Sequence, residues 1–438
     1  MLDINYIRKN KQAVVKAALQ KNLKVDIDKL LELDEEIKDI KTKLNHYQEE
    51  RNLLAKKNKS GKPSREDVQK GRDLKEKIAQ LEDDLRDKET AFERIMVKVP
   101  TIPSKDTPVG RDDSENVEIY RWKEPAKFDF KPKSYIELGR DLDLLDLERG
   151  VKVSGYRGYY VKNEGVLLQM GLMMYALRKL IQKGFMPMIP PTLVREFVLF
   201  GSGYFAGKDF DPKVDEIYKI ENFDKEADGT VKKESKFLIG TAEPSLLAYY
   251  ADEVLAGNDL PKKICGFSQC YRSEIGSYGK DTKGIYRVHE FMKVEQVCLC
   301  HADVKEANKM HEEMVDISKE LHEDLDLPYR QLQICTGDMS PGKYKMFDME
   351  VWIPSRKGYG ESGSASNFLD WQSRRLNVRY KDKQGEKKYV YMLNNTALPS
   401  ARILIAVLEN YQQKDGSILV PEVLKEYVGK DVIKPKTK

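Results

Sequence analysis

Cysteine is scarce in this chain of 438 residues: there are five, Cys265, Cys270, Cys298, Cys300 and Cys335, an odd number confined to the second half. That excludes a disulfide scaffold and suits a reducing compartment. Net charge is nearly absent as well, because 76 Lys and Arg stand against 72 Asp and Glu, a balance of +4. A protein that coats nucleic acid through bulk charge is therefore excluded, and any basic surface must be local. No apolar run reaches the roughly 18 residues of a membrane span. The best, Val166 to Ile181, is interrupted by Gln169, Arg178 and Lys179. The first residues carry Asp3 and Arg8 where a signal peptide would be uniformly apolar. These absences lead to the expectation of a cytoplasmic protein with no membrane partner.

What is present is strongly segregated. Leu30, Leu33, Ile37, Ile40, Leu44, Tyr47, Arg51 and Leu54 recur at alternating steps of three and four, as do Leu74, Ile78, Leu81, Leu85, Lys88, Phe92 and Ile95. Each series has the period of a coiled-coil seam. Between them lies Ser60-Gly61-Lys62-Pro63-Ser64, a turn-forming cluster foreign to a helix interior. The pattern predicts two antiparallel helices folded back at that tip, a projection about 42 Å long at about 1.5 Å per residue. A dimerisation coiled coil is the alternative. Residues 51–77 hold ten Lys or Arg against four Asp or Glu, whereas 30–50 and 78–95 together hold six against thirteen. A basic tip on an acidic stalk suits a probe for phosphate backbone, with Lys56, Lys57, Lys59, Lys62, Arg65, Lys70, Arg72, Lys75 and Lys77 as candidate contacts.

Pro100, Pro103 and Pro108 mark a linker, so the expected organisation is a helical arm over 1–100, a linker over 101–116 and a second domain over 117–438. That domain mixes short alternating strands with amphipathic helices such as Glu164 to Gly184 and Ser400 to Gln412, an α+β pattern. Strict βαβ alternation and a G-x-x-x-x-G-K-[ST] phosphate loop are both missing, which argues against a Rossmann or P-loop cradle. The densest polar constellation runs from Phe267 to Glu274, through a Gly- and Ser-rich loop, and on from Ile285 to Glu295. Two strands joined by a long loop are predicted. Alternation then places Arg287, His289, Phe291, Lys293 and Glu295 on one face, with Arg272 and Glu274 in register with each other. Arginines, an aromatic ring and carboxylates on one platform are parts for clamping phosphates, stacking a base and gripping an amine. The solvated face of a sheet would show the same alternation.

Tyr271-Arg272-Ser273-Glu274, with its long loop and the Arg287…Phe291…Glu295 strand, resembles motif 2 of class II aminoacyl-tRNA synthetases, and within them the seryl-tRNA synthetase family. Lys183-Gly184-Phe185 through Pro190-Pro191 resembles motif 1, whose proline lies at that family's dimer interface. Asn394-Asn395-Thr396-Ala397-Leu398 through Arg402, then Leu408 to Gln412, resembles motif 3. Gly240-Thr241-Ala242-Glu243 resembles the loop that closes on serine, and the N-terminal hairpin resembles the arm that grips tRNA. The resemblance implies an α+β fold. It would join a two-helix arm to a catalytic domain built on a mixed, mainly antiparallel sheet flanked by helices. It implies ATP-dependent activation of L-serine to seryl-adenylate and transfer to the 3′ end of tRNA(Ser), by a homodimer using Mg²⁺. It leaves tRNA(Sec) open as a second substrate.

Carried over residue by residue, the resemblance implies that Arg272, Arg402 and Glu361 serve catalysis. Thr241, Ala242, Glu243, Arg272, Glu295, Asn394 and Thr396 would line the serine pocket. ATP would meet Arg272 at its α-phosphate, Ser273 beside it, Glu274 at the adenine edge, Val288 through backbone, and Arg287 and Arg402 at the γ-phosphate. Phe291 would stack on adenine with Arg402 on its other side. Within Glu361-Ser362-Gly363-Ser364, which would hold ATP, Glu361 and Ser364 would bind Mg²⁺. Zinc is not expected, because Cys298-Leu299-Cys300-His301 and Cys265-x₄-Cys270 lack the paired C-x₂₋₄-C spacing of a structural site. An inactive RNA-binding paralogue and a coiled-coil adaptor are the rival readings. Both would tolerate loss of Arg272, Glu295, Glu361 or Arg402, and all four are present.

Overall fold

The computed structural model describes the whole chain except residues 59–62, 222–224, 226–227, 232–233, 276–278, 280, 282 and 436–438. The chain divides into two compact units, Leu2–Pro100 and Thr101–Lys438.

The first unit holds α1 (Ile4–Lys9), α2 (Lys11–Gln20), α3 (Ile27–Lys57) and α4 (Arg65–Met96). The side chain of Asp26 caps the start of α3 and Ser64 that of α4, each accepting an otherwise orphaned N–H. Partners along the two long helices run in opposite directions: Lys41 pairs with Glu89, Lys88 with Glu36, and Lys57 with Asp67. The predicted antiparallel hairpin is thus what forms, and α3, at 31 residues, is about 46 Å long. Its seam is unevenly filled. Leu30, Leu33, Ile37 and Ile40 are buried in the same half of the hairpin as Ile7, Val14, Ala17 and Ala18 of α1 and α2. Leu44, Tyr47 and Leu54 are only half-buried, as two helices alone must leave them.

The second unit is built on an eight-stranded sheet. In chain order its strands are β1 (Val117–Trp122), β2 (Met186–Met188), β3 (Lys262–Tyr271), β4 (Glu290–Cys300), β5 (Tyr329–Gln333), β6 (Lys345–Ile353), β7 (Gly358–Asn367) and β8 (Tyr391–Pro399). Their spatial order is β1-β5-β6-β7-β8-β4-β3-β2, and β2–β3 is the one parallel pair in it. The fold is α+β. Residues 101–116, expected as a linker, belong to this unit: Thr101 N donates to Pro341 O, Ser104 N to Tyr344 O, and Thr336 N to Pro108 O. The prolines mark an extended segment laid on the domain.

Helices α5 (Tyr135–Asp141), α6 (Glu164–Gln182), α7 (Glu243–Ala248), α8 (Val304–Asp324) and α9 (Ser400–Asn410) accompany the sheet. Leu168, Leu172, Ala176 and Leu180 of α6 recur at helical spacing and join Met314, Ile317 and Leu321 of α8 and Ile403, Leu404 and Val407 of α9 in one core. Val294, Cys298 and Cys300 of β4 point into that core, so alternation turns Lys293 and Glu295 to the other face. Predicted helices 164–184 and 400–412 end slightly early, at Gln182 and Asn410. Gly184 then takes φ +83°, a conformation that suits glycine after a helix end. The spacing Gly358-x-Gly360-x-x-Gly363 falls inside β7 and is no dinucleotide-binding turn. Among the described residues no helix is long and apolar enough to cross a membrane.

Candidate active site

An open cleft of about 520 Å³ is lined by Arg272, Glu274, Arg287, Val288, Phe291, Glu361, Ser362, Gly363, Thr396 and Arg402, all expected at the site. Tyr286, Lys293, Pro399 and Ala401 complete its wall. The strands that carry it are shorter than predicted. β3 stops at Tyr271 and β4 begins only at Glu290, so Arg272, Glu274, Arg287 and His289 lie on the segments leaving the sheet. Two local features account for this. Glu274 takes φ +55°, which breaks the pleat. The Tyr135 hydroxyl accepts the Ile285 N–H at 3.0 Å, a donor that a ladder would otherwise use.

At the arginine-rich end, positive charge is concentrated but engaged. Arg272 donates from Nε to Gly240 O at 3.3 Å, and its guanidinium stands 5.6 Å from the Phe291 ring centroid. Arg287 donates to Glu274 Oε2 at 2.7 Å, and the buried Arg157 lies 3.5 Å from the same oxygen. Arg402 donates to the Glu361 carbonyl at 2.8 Å, approaches Glu361 Oε2 at 3.3 Å, and lies 4.8 Å over the Tyr286 ring. In this structure Arg272 covers the Phe291 ring and Arg402 covers that of Tyr286. The Ser273 hydroxyl is buried with no hydrogen-bond partner among the described residues.

Beside Arg402, Asp348 and Ser364 are cross-strand partners on β6 and β7, and the Ser364 side chain bonds the buried Asp348 carboxyl. Burial, then repulsion from Glu361, holds the Asp348 carboxyl well above its usual range, with Lys343 opposing. Desolvation would raise Glu361 too, but Arg402 and Arg272 outweigh it and hold that carboxyl below its usual range. Two carboxylates and a hydroxyl are hard oxygen donors, the type that Mg²⁺ prefers. The residues present fit such an ion. Burial pushes the Cys265 and Cys298 thiols up to about 12, which keeps them protonated.

At the other end, Glu295 Oε2 gathers three donors: Thr241 Oγ1 at 3.2 Å, Thr396 Oγ1 at 3.2 Å and Lys293 Nζ at 2.5 Å. Lys293 also donates to Thr396 Oγ1 at 3.1 Å. Glu243, at the start of α7, accepts on Oε1 from Gln372 Nε2 at 2.7 Å and Asn394 Nδ2 at 2.8 Å, with the Tyr204 hydroxyl 3.5 Å from Oε2. Burial, then repulsion from Glu295, raises the Glu243 carboxyl to about 7. Ala242 packs in the core with Leu246 and Leu247. A small buried polar cluster with two carboxylates, hereafter the chamber, therefore adjoins an arginine-lined cleft, which its members Thr396 and Lys293 also line. Such a chamber can hold an ammonium group and a hydroxyl while a neighbouring polyphosphate is clamped.

Comparison with known proteins decides whose site this is. Residues 1–103 match the seryl-tRNA synthetase N-terminal domain, and 218–411 match the tRNA synthetase class II core domain (G, H, P, S and T). A serine–tRNA ligase of Treponema denticola is 41% identical over 99% of this chain and 100% of its own. One from Deinococcus radiodurans is 41% identical over 98% of each. The chain belongs to the seryl-tRNA synthetase family. The crystal structure of seryl-tRNA synthetase from Pyrococcus horikoshii complexed with ATP superposes with a TM-score of 0.87 at 35% identity, covering 100% of both chains. That of the cytoplasmic enzyme from Naegleria fowleri in complex with AMP gives 0.84 at 29% identity, covering 100% of this chain and 99% of the other.

Within this member of the family, several site residues escaped sequence reasoning. Lys293 shares the face of Glu295 by alternation, yet nothing in the pattern assigned it a partner. Asp348 and Glu350 look alike in sequence, and only the sheet distinguishes the carboxylate aimed at Glu361. Arg157 and Gln372 come from distant segments with no local signal. On the arm, Lys56, Lys57, Arg65, Lys70, Arg72, Lys75 and Lys77 are all exposed. Lys57 pairs with Asp67, Lys70 approaches Glu50 at 3.7 Å, and Lys77 lies 5.4 Å over the Tyr47 ring. Lys59 and Lys62 lie outside the described residues.

Proposed function

We propose that this chain joins L-serine to tRNA(Ser) in two steps, using ATP. The observation that carries the reading is the chamber of Glu243, Glu295, Thr241 and Thr396 opening beside Arg272, Arg287 and Arg402. Glu243 and Glu295 receive the ammonium of serine, and Thr396 and Asn394 border its hydroxyl. Alanine is rejected because it leaves those buried groups unpaired. Phe291 stacks on adenine, Glu274 takes its edge, Ser273 and the backbone near Val288 lie beside the nucleotide, and Arg287 must leave Glu274 to reach the γ-phosphate. A carboxylate oxygen of serine attacks the α-phosphorus in line, the bond to the β-phosphate oxygen breaks, and pyrophosphate departs. Arg272 and Arg402 stabilise the charge that spreads over the phosphate oxygens. The terminal ribose hydroxyl of the tRNA then attacks the seryl carbonyl and AMP leaves. Asp348, Glu361 and Ser364 would hold Mg²⁺, which when bound neutralises phosphate oxygens.

The proposed division of labour is an arm (1–100) that reads tRNA and a catalytic domain (117–438), with 101–116 the linking stretch that is laid on that domain. The tip cations bind the phosphate backbone, and tRNA(Sec) is a second candidate for the same surface. An exposed apolar stripe of Leu167, Met174 and Ile181 on α6, with Met186 on the edge strand β2 and Ile189 at 84% exposure, supports a homodimer through motif 1 around Pro191. A cytoplasmic location agrees with five free, buried cysteines. ATP–pyrophosphate exchange across all twenty amino acids tests the reading. Serine alone should support exchange, in the presence of Mg²⁺ and regardless of zinc chelation. Exchange with a different amino acid, or with none, refutes it.

A further inference from the structure

Behind the serine chamber, on the side covered by α8, four polar side chains are fully buried at 0% exposure: Gln296 on β4, Asn395 on β8, and Ser318 and His322 on α8. None touches the cleft as a reacting group, and polar groups are costly in a core unless they are bonded. Gln296 and Asn395 are cross-strand partners. Both side-chain amides donate to Ser318 Oγ, Asn395 at 2.9 Å and Gln296 at 3.3 Å, and both also donate to the Met314 carbonyl, at 2.8 and 3.3 Å. The Ser318 hydroxyl keeps its own proton for one acceptor, the Thr396 carbonyl at 3.3 Å. One turn later His322 Nδ1 donates to the Ser318 carbonyl at 2.7 Å, and Nε2 accepts from Ser362 Oγ at 2.8 Å.

The place where this cluster grips the sheet is irregular. Glu295 pairs with Thr396 but Val294 pairs with Leu398, so Ala397 is an extra residue, a β-bulge. Bulges re-aim side chains beside active sites. Here Ala397 and Leu398 both enter the core, while Thr396 faces Glu295 in the chamber. A one-residue slip would exchange faces and carry Thr396 out of the chamber. On the neighbouring strand Gly363 has no side chain to hold the Thr396 carbonyl, and a Cβ there would stand 3.0 Å from it.

We propose that Ser318 is a positioning residue for amino-acid selection: its hydroxyl, held by the Gln296 and Asn395 amides, locks the bulge at Ala397 and so sets Thr396 Oγ1 against Glu295. The inference rests on the reading of this chamber as the serine site. Ser318→Ala removes the one donor to the Thr396 carbonyl that the cluster supplies and leaves every cleft residue in place. In exchange assays on the full-length protein it should raise KM for serine about tenfold, the worth of one hydrogen bond. KM for ATP and kcat should stay within about twofold, and preference for serine over threonine should fall by about the same factor as KM rises. Ser417→Ala serves as control, since it removes a buried hydroxyl bonded to Asp415 at 2.6 Å and lines no part of the cleft. It should lower Tm without moving either KM. An unchanged serine KM in Ser318→Ala, or equal rises for serine and ATP, overturns the positioning role while leaving the functional reading intact. A wild-type protein that shows no serine-dependent exchange overturns both, and is recognised without any variant.

Discussion

Glu243 carries a carboxyl that burial and the neighbouring Glu295 raise from an ordinary 4.5 to about 7. Between those values the folded protein holds a proton that the unfolded chain has released. The unfolded state therefore binds fewer protons in that window, and stability falls as pH rises through it. A gap of about 2.5 units at about 1.36 kcal/mol each corresponds to about 3 kcal/mol lost by pH 8. Glu243→Gln keeps the length of the side chain and an acceptor for Gln372 and Asn394, but cannot ionise. The variant and wild type should therefore melt at similar temperatures at pH 5, and the variant should be the more stable at pH 8, by about 1–3 kcal/mol. Activity should move the opposite way. In the wild type, KM for serine should fall about tenfold per unit as pH rises toward 7 and then level off, because the ionised carboxylate is the form that holds an ammonium. In Glu243→Gln the serine KM should be high and flat across pH. Denaturant melts at four pH values, with exchange kinetics on the same preparations, measure both. A stability difference that stays constant from pH 5 to 8, or that favours the wild type at pH 8, would refute the picture of a desolvated carboxylate repelled by Glu295.

Arg272→Ala and Arg402→Ala should each lower kcat for serine-dependent exchange by about 10², as loss of preorganised positive charge does; a change under threefold would remove them from the reacting centre. Asp348→Asn should raise the Mg²⁺ concentration needed for half-maximal exchange several-fold while leaving serine KM near wild type, and an unchanged Mg²⁺ titration would exclude Asp348 from the metal corner. Deleting residues 56–77 and closing the hairpin with a short turn should leave adenylate formation unaffected and raise the KM for tRNA steeply, with a shallower salt dependence of binding. Full charging by that deletion at ordinary salt would show that the arm tip is not the tRNA probe.

Much of the fold could be read from order along the chain alone. The hairpin was legible because α3 and α4 each carry a local, periodic seam and Ser64 caps α4, while Ser60 to Lys62 of the expected turn lie outside the described residues. Local periodicity and capping are properties of neighbouring residues, so sequence determines them. The motif residues Arg272, Phe291, Glu361 and Arg402 were legible through their resemblance to the family's motifs, and the fold brings these four to one cleft. Where prediction and structure part, a distant residue intervenes. The strands flanking the motif 2 loop end early where Glu274 takes φ +55° and where Tyr135, about 150 positions away, takes the Ile285 N–H. The ring contacts of Arg402 with Tyr286 and of Arg272 with Phe291 likewise follow from packing between segments far apart in the chain. The Glu243 carboxyl sits near 7 because α7 and β4 bury it beside Glu295, and no pattern within Gly240 to Glu243 contains that information. Asp348, Arg157, Lys293 and the Ser318 cluster belong to the same class. Composition and periodicity determined which elements this protein makes and where its chemistry concentrates. Only packing decided which carboxylates are desolvated, which arginines are paired and how Thr396 is aimed, because those depend on distances between segments that sequence keeps far apart.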